Sequence, residues 1–357
     1  MYQGKSIAVV IPAYNEEQQL PGVLNTMPDF VDRIVVVDDG SSDQSKELVL
    51  QWQEKDDRIT LLEHEQSQGC GGAMATGYKW VRDHDYDVAV RMDGDGQMDP
   101  VDLPRLLEPV TSDEADFSKG NRFYTGEAYE KMPKIRYFGN AILSLLTKIA
   151  SGYWHVADSQ SGYVVLNREV LHTLDWDSMY PSYGQPNDLL VMLNIYDFRV
   201  RDVIIKPVYG VGETSRMKIR KVVFSVGWNL FKRFLWRLKE KYVIRNFHPL
   251  VFFYAFSFFF GALTIPLFLR IFYIWLVLGG QIPKVNALAA MFSMVSTIQF
   301  SLFAMWFDMK ENKMGSERRS SDLRGLMEQR YTEPPAVPAS GPAASSGETL
   351  AKSDGNS

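Results

Sequence analysis

The sequence predicts an α/β domain with a parallel, doubly wound sheet, followed by a basic amphipathic segment and a two-helix membrane hairpin. Three observations carry this. Four short apolar runs alternate with helical stretches over residues 7–92. Charge is divided sharply along the chain. Residues 1–215 hold 19 Lys and Arg against 34 Asp and Glu, whereas residues 216–245 hold ten basic residues and one acid, Glu240. Two apolar stretches then follow, Leu250–Leu278 and Val285–Phe307, each longer than the ~20 residues that cross a bilayer core.

The elements follow in order. Ile7–Ile11 is a continuous apolar run, mostly β-branched and closed by Pro12; it predicts a buried strand and is too short for the apolar core of a signal peptide. Tyr14-Asn15-Glu16 leads into a helix to about Met27. Arg33–Val37 predicts the second strand, ending in Asp38-Asp39-Gly40-Ser41-Ser42-Asp43, where Ser42 or Asp43 can cap the next helix. Ile59–Glu63 is the third strand, and Gly69-Cys70-Gly71-Gly72 opens a helix to Trp80. Val88–Met92 is the fourth strand. Strands alternating with helices imply a parallel sheet, and burial on both faces accounts for unbroken apolar runs.

The fourth strand ends in Asp93-Gly94-Asp95-Gly96-Gln97-Met98-Asp99. Residues two apart in an extended segment point the same way, so Asp93 and Asp95 repel unless a cation lies between them. Mg²⁺ or Mn²⁺ suits such a pair, because hard ions take carboxylate and phosphate oxygens. Asp-Gly pairs are also ordinary turn signals, and the motif alone leaves both readings open. An EF-hand is excluded: Met98 stands where the loop needs glycine and Pro104 where it needs a bidentate Glu. Three polar clusters, Tyr14-Asn15-Glu16, Asp38-Asp39 and Asp93/Asp95, fall at strand C-termini, where open α/β sheets bind ligands. No G-x-x-x-x-G-K-[ST] loop occurs, and Met74 breaks the dinucleotide fingerprint after Gly69 and Gly71.

Here a resemblance becomes specific. Val10-Ile11-Pro12-Ala13-Tyr14-Asn15-Glu16, Val35-Val36-Val37-Asp38-Asp39-Gly40-Ser41-Ser42-Asp43 and Asp93-Gly94-Asp95-Gly96-Gln97 resemble the motifs of family 2, GT-A fold glycosyltransferases. The last is similar to the D-x-D-x-Q form of dolichol-phosphate mannose synthases and related polyprenyl-phosphate glycosyltransferases. The resemblance covers about residues 5–215. It implies that Pro12, Tyr14, Glu16 and Asp39 hold the base and ribose of a UDP- or GDP-sugar, with Asp38 the neighbouring acid. It implies that Asp93 and Asp95, assisted by Gln97, hold Mg²⁺ or Mn²⁺ on the diphosphate. Arg122 and Arg136 match arginines that meet an acceptor phosphate. Asp158, in Asp158-Ser159-Gln160-Ser161-Gly162-Tyr163, belongs to a segment lying against donor and acceptor. Asp188 matches a general base for a hydroxyl acceptor, and Ser215 and Lys218 lie in a loop that closes over the donor. Two departures stand out: Cys70 replaces a frequent Lys, and Val208-Tyr209-Gly210 lacks an early Arg of that loop.

Four segments are therefore expected: a GT-A catalytic domain at 1–215, a basic juxtamembrane region at 216–249, two spans within 250–308, and a disordered tail at 309–357. Val223, Val226, Leu230, Phe234, Leu238 and Tyr242 form an apolar stripe within the basic region, which suits an anionic membrane surface or a face of the catalytic domain. Because this basic patch abuts a span, the partner is a membrane and not nucleic acid. Basic residues flank both spans on one side, which places the catalytic domain and both termini in the cytoplasm, and the single cysteine fits a reducing compartment. The tail is rich in Ser, Pro, Ala and Gly, too little apolar surface to order itself. The function expected is sugar transfer to a lipid acceptor, polyprenyl phosphate foremost. Transfer to a hydroxyl of a lipid-linked or cell-envelope glycan is the enzymatic alternative, and a non-catalytic membrane adaptor is the third.

Overall fold

A computed structural model describes residues 1–123, 134–206, 208 and 219–332. The strands are β1 (Ile7–Ala13), β2 (Arg33–Asp38), β3 (Ile59–Glu63), β4 (Val88–Arg91), β5 (Phe117–Asn121), β6 (Val164–Asn167) and β7 (Val200–Ile204). They form one sheet in the order β3-β2-β1-β4-β6-β5-β7. The leading four are parallel, as expected. The far half is mixed, because β6 runs antiparallel to both β4 and β5. Alternate residues of the parallel strands feed two cores. Ala8, Val10, Val35 and Val37 pack on one face with Tyr78 and Trp176, while Ile7, Val9, Ile11, Ile34 and Val36 pack on the other with Leu20 and Leu106.

The helices are α1 (Leu20–Asn25), α2 (Ser45–Gln53), α3 (Cys70–Asp83), α4 (Leu103–Thr111), α5 (Lys134–Ser151), α6 (Arg168–Thr173), α7 (Gln185–Ile195), α8 (Ile219–Lys239), α9 (Leu250–Leu276) and α10 (Lys284–Thr332). Helices α9 and α10 are long and apolar enough to cross a membrane, over Leu250–Leu276 and Lys284–Glu317. Most of their large side chains are exposed, as lipid-facing surface would be. They meet through Ser257 and Ser301, whose hydroxyls lie 2.5 Å apart, and through Gly261 against Thr297. Small residues at a helix crossing let the backbones approach. Phe253, Phe260, Phe300 and Phe307 interleave beside that contact.

The basic segment does two things at once. Val226, Leu230, Phe234 and Leu238 of α8, with Tyr242 beyond it, are buried against α5, α7, α9 and α10. The stripe is thus used for protein packing. Phe224, Trp228, Phe231 and Leu235 on the other side of α8 are exposed, as are Phe138, Ile142 and Leu145 of α5.

Disorder expected from residue 309 is corrected: α10 runs unbroken to Thr332, and residues 333–357 lie outside the described residues. The cause is polar partners on α8, just beyond it, and on the catalytic domain. Arg237 is fully buried and donates to Asp308 at 2.6 and 3.1 Å. Lys241 donates to Asp197 and to Asn312 at 2.7 and 2.8 Å, and Tyr242 donates to Asp308 at 2.5 Å. Farther along, Arg319 donates to Asp116 at 3.0 Å and lies over the Phe198 ring.

Two predictions follow from these pairs. Replacing Asp308 with Asn leaves Arg237 buried without its carboxylate and should destabilise the detergent-solubilised protein by about 3–5 kcal/mol, read as a lowered Tm. Asp116 is buried, which pushes its carboxyl up, but bonds from Arg199 and the charge of Arg319 outweigh burial and hold it below the ordinary value. Its stabilising contribution is therefore present above about pH 4 and is lost as pH falls further. Thermal melts between pH 5 and 3 should fall more steeply for wild type than for Asp116→Asn.

Candidate active site

The C-terminal ends of β1, β2 and β4 open into a cleft of about 670 Å³. Pro12, Tyr14, Glu16, Asp39, Asp93 and Asp95 all line it, together with Cys70 and Tyr183. Six of the residues singled out from sequence therefore meet in one cavity. The β1 and β2 loops are stitched to each other across it. Ser41 Oγ accepts from Asn15 N at 3.0 Å, Asn15 Oδ1 from Ser42 N at 2.8 Å, and Ser45 Oγ from Glu16 N at 2.9 Å. Asn15 turns the chain in the left-handed region, with φ of 57°, which asparagine tolerates better than most residues.

Asp39 is the keystone of the third wall. Its carboxylate accepts from Ser67 Oγ at 2.6 Å and from the backbone N–H groups of Gln68 and Gly69 at 2.8 Å each, and it meets His64 Nδ1 at 2.7 Å. His64 Nε2 lies 2.9 Å from Thr76 Oγ1. Burial pushes the Asp39 carboxyl up, but these bonds prevail and hold it below its ordinary value. Asp38 does not line the cleft. It is buried behind Asp39, with Oδ2 accepting from Ser41 N and Oδ1 unpartnered.

The glycine run before α3 serves backbone packing. Gly69 adopts φ of 83°, and Gly71 N–H donates to Pro181 O at 2.9 Å. A Cβ at Gly71 would collide with Tyr180 O.

Asp95 accepts from Gln97 N at 3.0 Å on the turn after β4. Asp93 is gripped by Arg91, Nε to Oδ1 at 2.7 Å and Nη2 to Oδ2 at 3.2 Å. Among the described residues no three His, Cys, Asp or Glu side chains are placed to share one metal ion. Two carboxylates on a cleft wall nevertheless fit Mg²⁺ or Mn²⁺, which usually combines one or two carboxylates with substrate phosphates and waters.

The remaining candidates divide. Arg122 lies bidentate on Asp158, at 2.7 and 3.1 Å. Burial pushes Asp158 up, but Arg122 and Lys119 hold it below its ordinary value. Lys119 is itself buried, which draws its ammonium down to about 7 despite Asp158 and Asp202. Asp188 is fully buried, with Oδ1 accepting from Arg233 Nε at 2.6 Å and Oδ2 from Arg233 Nη2 and Tyr180 N at 2.9 Å each. A general base must offer a lone pair to its substrate, whereas both Asp188 oxygens are taken in joining α7 to α8. Arg136 lies on α5 with its side chain outside the described residues; Ser215 and Lys218 lie outside them altogether. Sequence reasoning missed Arg91, whose signal was one cation in an apolar strand, and His64 and Ser67, which no motif marked.

The residues 8–175 match the model of Glycosyl transferase family 2. The UDP-N-acetylglucosamine–dolichyl-phosphate N-acetylglucosaminyltransferase of Methanococcus voltae is 30% identical over 65% of this chain and 95% of its own. The chain belongs to glycosyltransferase family 2. It is therefore a glycosyltransferase, as the motifs implied. The polyprenol monophosphomannose synthase of Mycolicibacterium smegmatis is 30% identical to this transferase, over 62% of this chain and 86% of its own. The undecaprenyl-phosphate mannosyltransferase of Micrococcus luteus is 33% identical over 48% and 71%.

Because four donors converge on Asp39, its replacement by Ala should cost at least about 2 kcal/mol and abolish binding of UDP and GDP. Melting curves and isothermal titration with either nucleotide check the two outcomes separately.

Proposed function

We propose that this transferase moves one sugar from a UDP- or GDP-sugar to a polyprenyl phosphate at the membrane surface. The observation that carries this is the state of Asp188. A hydroxyl acceptor needs a base to remove its proton, and the acid matched to that role is sealed under Arg233. A phosphate monoester is already anionic and attacks without one. The relatives named above act on lipid phosphates by their names, and two apolar helices adjoin the catalytic domain.

In this reading the nucleotide lies in the cleft, its base and ribose against Pro12, Tyr14 and Glu16 and against the Ser67–Gly69 loop that Asp39 holds in place. Asp93 and Asp95, with Gln97 on the same turn, face the diphosphate and hold Mg²⁺ or Mn²⁺ there. The ion supplies charge for the departing diphosphate. Arg122, aimed by Asp158, and Arg136 receive the acceptor phosphate, because a guanidinium fork matches two phosphate oxygens. Ser215 and Lys218, by the motif resemblance alone, would contribute polar contacts to the donor. Attack at the anomeric carbon opposite the leaving group inverts the anomer. The chain acts from the cytoplasmic face, since α8 and the end of α10 carry the basic flanks of both spans.

The test is nucleotide release by the detergent-purified protein, with Mg²⁺ or Mn²⁺ and a panel of UDP- and GDP-sugars, with and without polyprenyl phosphate. Release should require the lipid phosphate and fall at least about 100-fold in Asp95→Ala. Asp188→Asn should lower Tm while the folded fraction keeps turnover within about tenfold. Release that depends on a glycolipid hydroxyl and collapses in Asp188→Asn would overturn the phosphate reading. Silence across the panel would favour the adaptor.

A further inference from the structure

One buried charge in the donor wall has no part in the roles above. Arg91 closes β4 after Val88, Ala89 and Val90, and only 5% of it is exposed. Its guanidinium is fully distributed. Nε and Nη2 take the two oxygens of Asp93, Nη1 donates to Gln185 Oε1 at 2.6 Å, and Nη2 lies 3.2 Å from Cys70 Sγ. Gly162 leaves room for the pair: a Cβ there would sit 3.0 Å from both Arg91 Cζ and Asp93 Oδ2.

Keeping a guanidinium inside a sheet forfeits much of its hydration. Asp93 does not need it for solvation, because its side chain is 25% exposed and faces the cleft. What the fork does supply is orientation. Two parallel N–H bonds remove the rotation a lone carboxylate would have, and hydrogen bonds behind a metal-binding carboxylate are what aim it.

We propose that Arg91 is the positioning residue of the donor metal site. It holds Asp93 in one orientation and, through Gln185, ties that carboxylate to the first turn of α7. The same turn carries Asp188, and Asp188 holds Arg233 of α8. The donor wall is thereby braced against the helix that leads into the membrane. This inference rests on the proposed role of Asp93 at the metal.

The experiment is Mn²⁺ binding to the full-length, detergent-purified chain, followed by the electron paramagnetic resonance signal of free Mn²⁺, with UDP and separately with GDP. Arg91→Gln should weaken Mn²⁺ binding by about 10–100-fold. Arg91→Lys should fall between, since an ammonium can reach one Asp93 oxygen but cannot also hold Gln185. Metal-free nucleotide binding should not change in either variant. A folded Arg91→Gln whose Mn²⁺ affinity is unchanged or tighter would overturn the proposal, because Arg91 would then be a structural ion pair or a mere counter-charge. Should Arg91→Gln not fold, Gln185→Ala decides: weaker Mn²⁺ binding with an intact melt supports the brace, and unchanged binding overturns it. Wild-type protein that binds either nucleotide but no Mn²⁺ would overturn the metal role of Asp93 itself, a failure distinct from that of Arg91.

Discussion

The structure depends on two guanidinium–carboxylate pairs projecting from one helix. Arg233 and Arg237 lie one turn apart on α8, and residues four apart share a face. Arg233 holds Asp188 of the catalytic domain, while Arg237 holds Asp308 of α10. Both carboxylates are buried, so neither arginine can release its partner without stranding a charge. A domain rich in acids is in this way fastened to an apolar hairpin by a helix that presents cations to both. The apolar stripe of the same helix fills the gap between them.

That fastening gives meaning to the cleft. The parallel order β3-β2-β1-β4 brings three polar strand ends to one edge, where the acids of the donor wall meet. Each acid there is constrained differently. Asp39 is saturated by donors and shapes a loop, Asp93 is aimed by an arginine, and Asp95 sits on the turn that follows. The chemistry assigned to them differs accordingly, although in sequence they are three similar Asp residues next to glycine.

The first half of the fold was legible because its strands are continuous apolar runs with clear closers, from Ile7–Ile11 to Val88–Met92. The antiparallel β6 was not, since Val164–Asn167 is four residues whose composition is the same in either direction. The two long apolar helices were legible by length alone. The helical course of residues 309–332 was not legible because polar composition signals disorder only when the polar groups lack partners. Arg319 finds Asp116 some 200 positions earlier, a contact that local composition cannot show. The setting of Asp188 was not legible for the same reason. Its neighbours Asn187 and Leu189 suggest a catalytic motif, but its surroundings come from Arg233 and Asn229 on a distant helix. Pro12, Tyr14, Glu16, Asp39, Asp93 and Asp95 were found together because each sits just past a readable strand.

The unbroken course of α10 has a further consequence. From Lys284 to Ser320 it rises roughly 55 Å at the usual 1.5 Å per residue, well beyond the ~30 Å of a hydrocarbon core. The excess lies along the catalytic domain, bonded at Asn312 and Arg319. The helix is thus a ruler without a hinge, and it fixes the distance between its apolar half and the donor cleft. With that apolar half in lipid, as the proposed function has it, an acceptor phosphate would have to reach a shelf of fixed height. Selection among lipids would then turn on how far a headgroup can climb as well as on what it is.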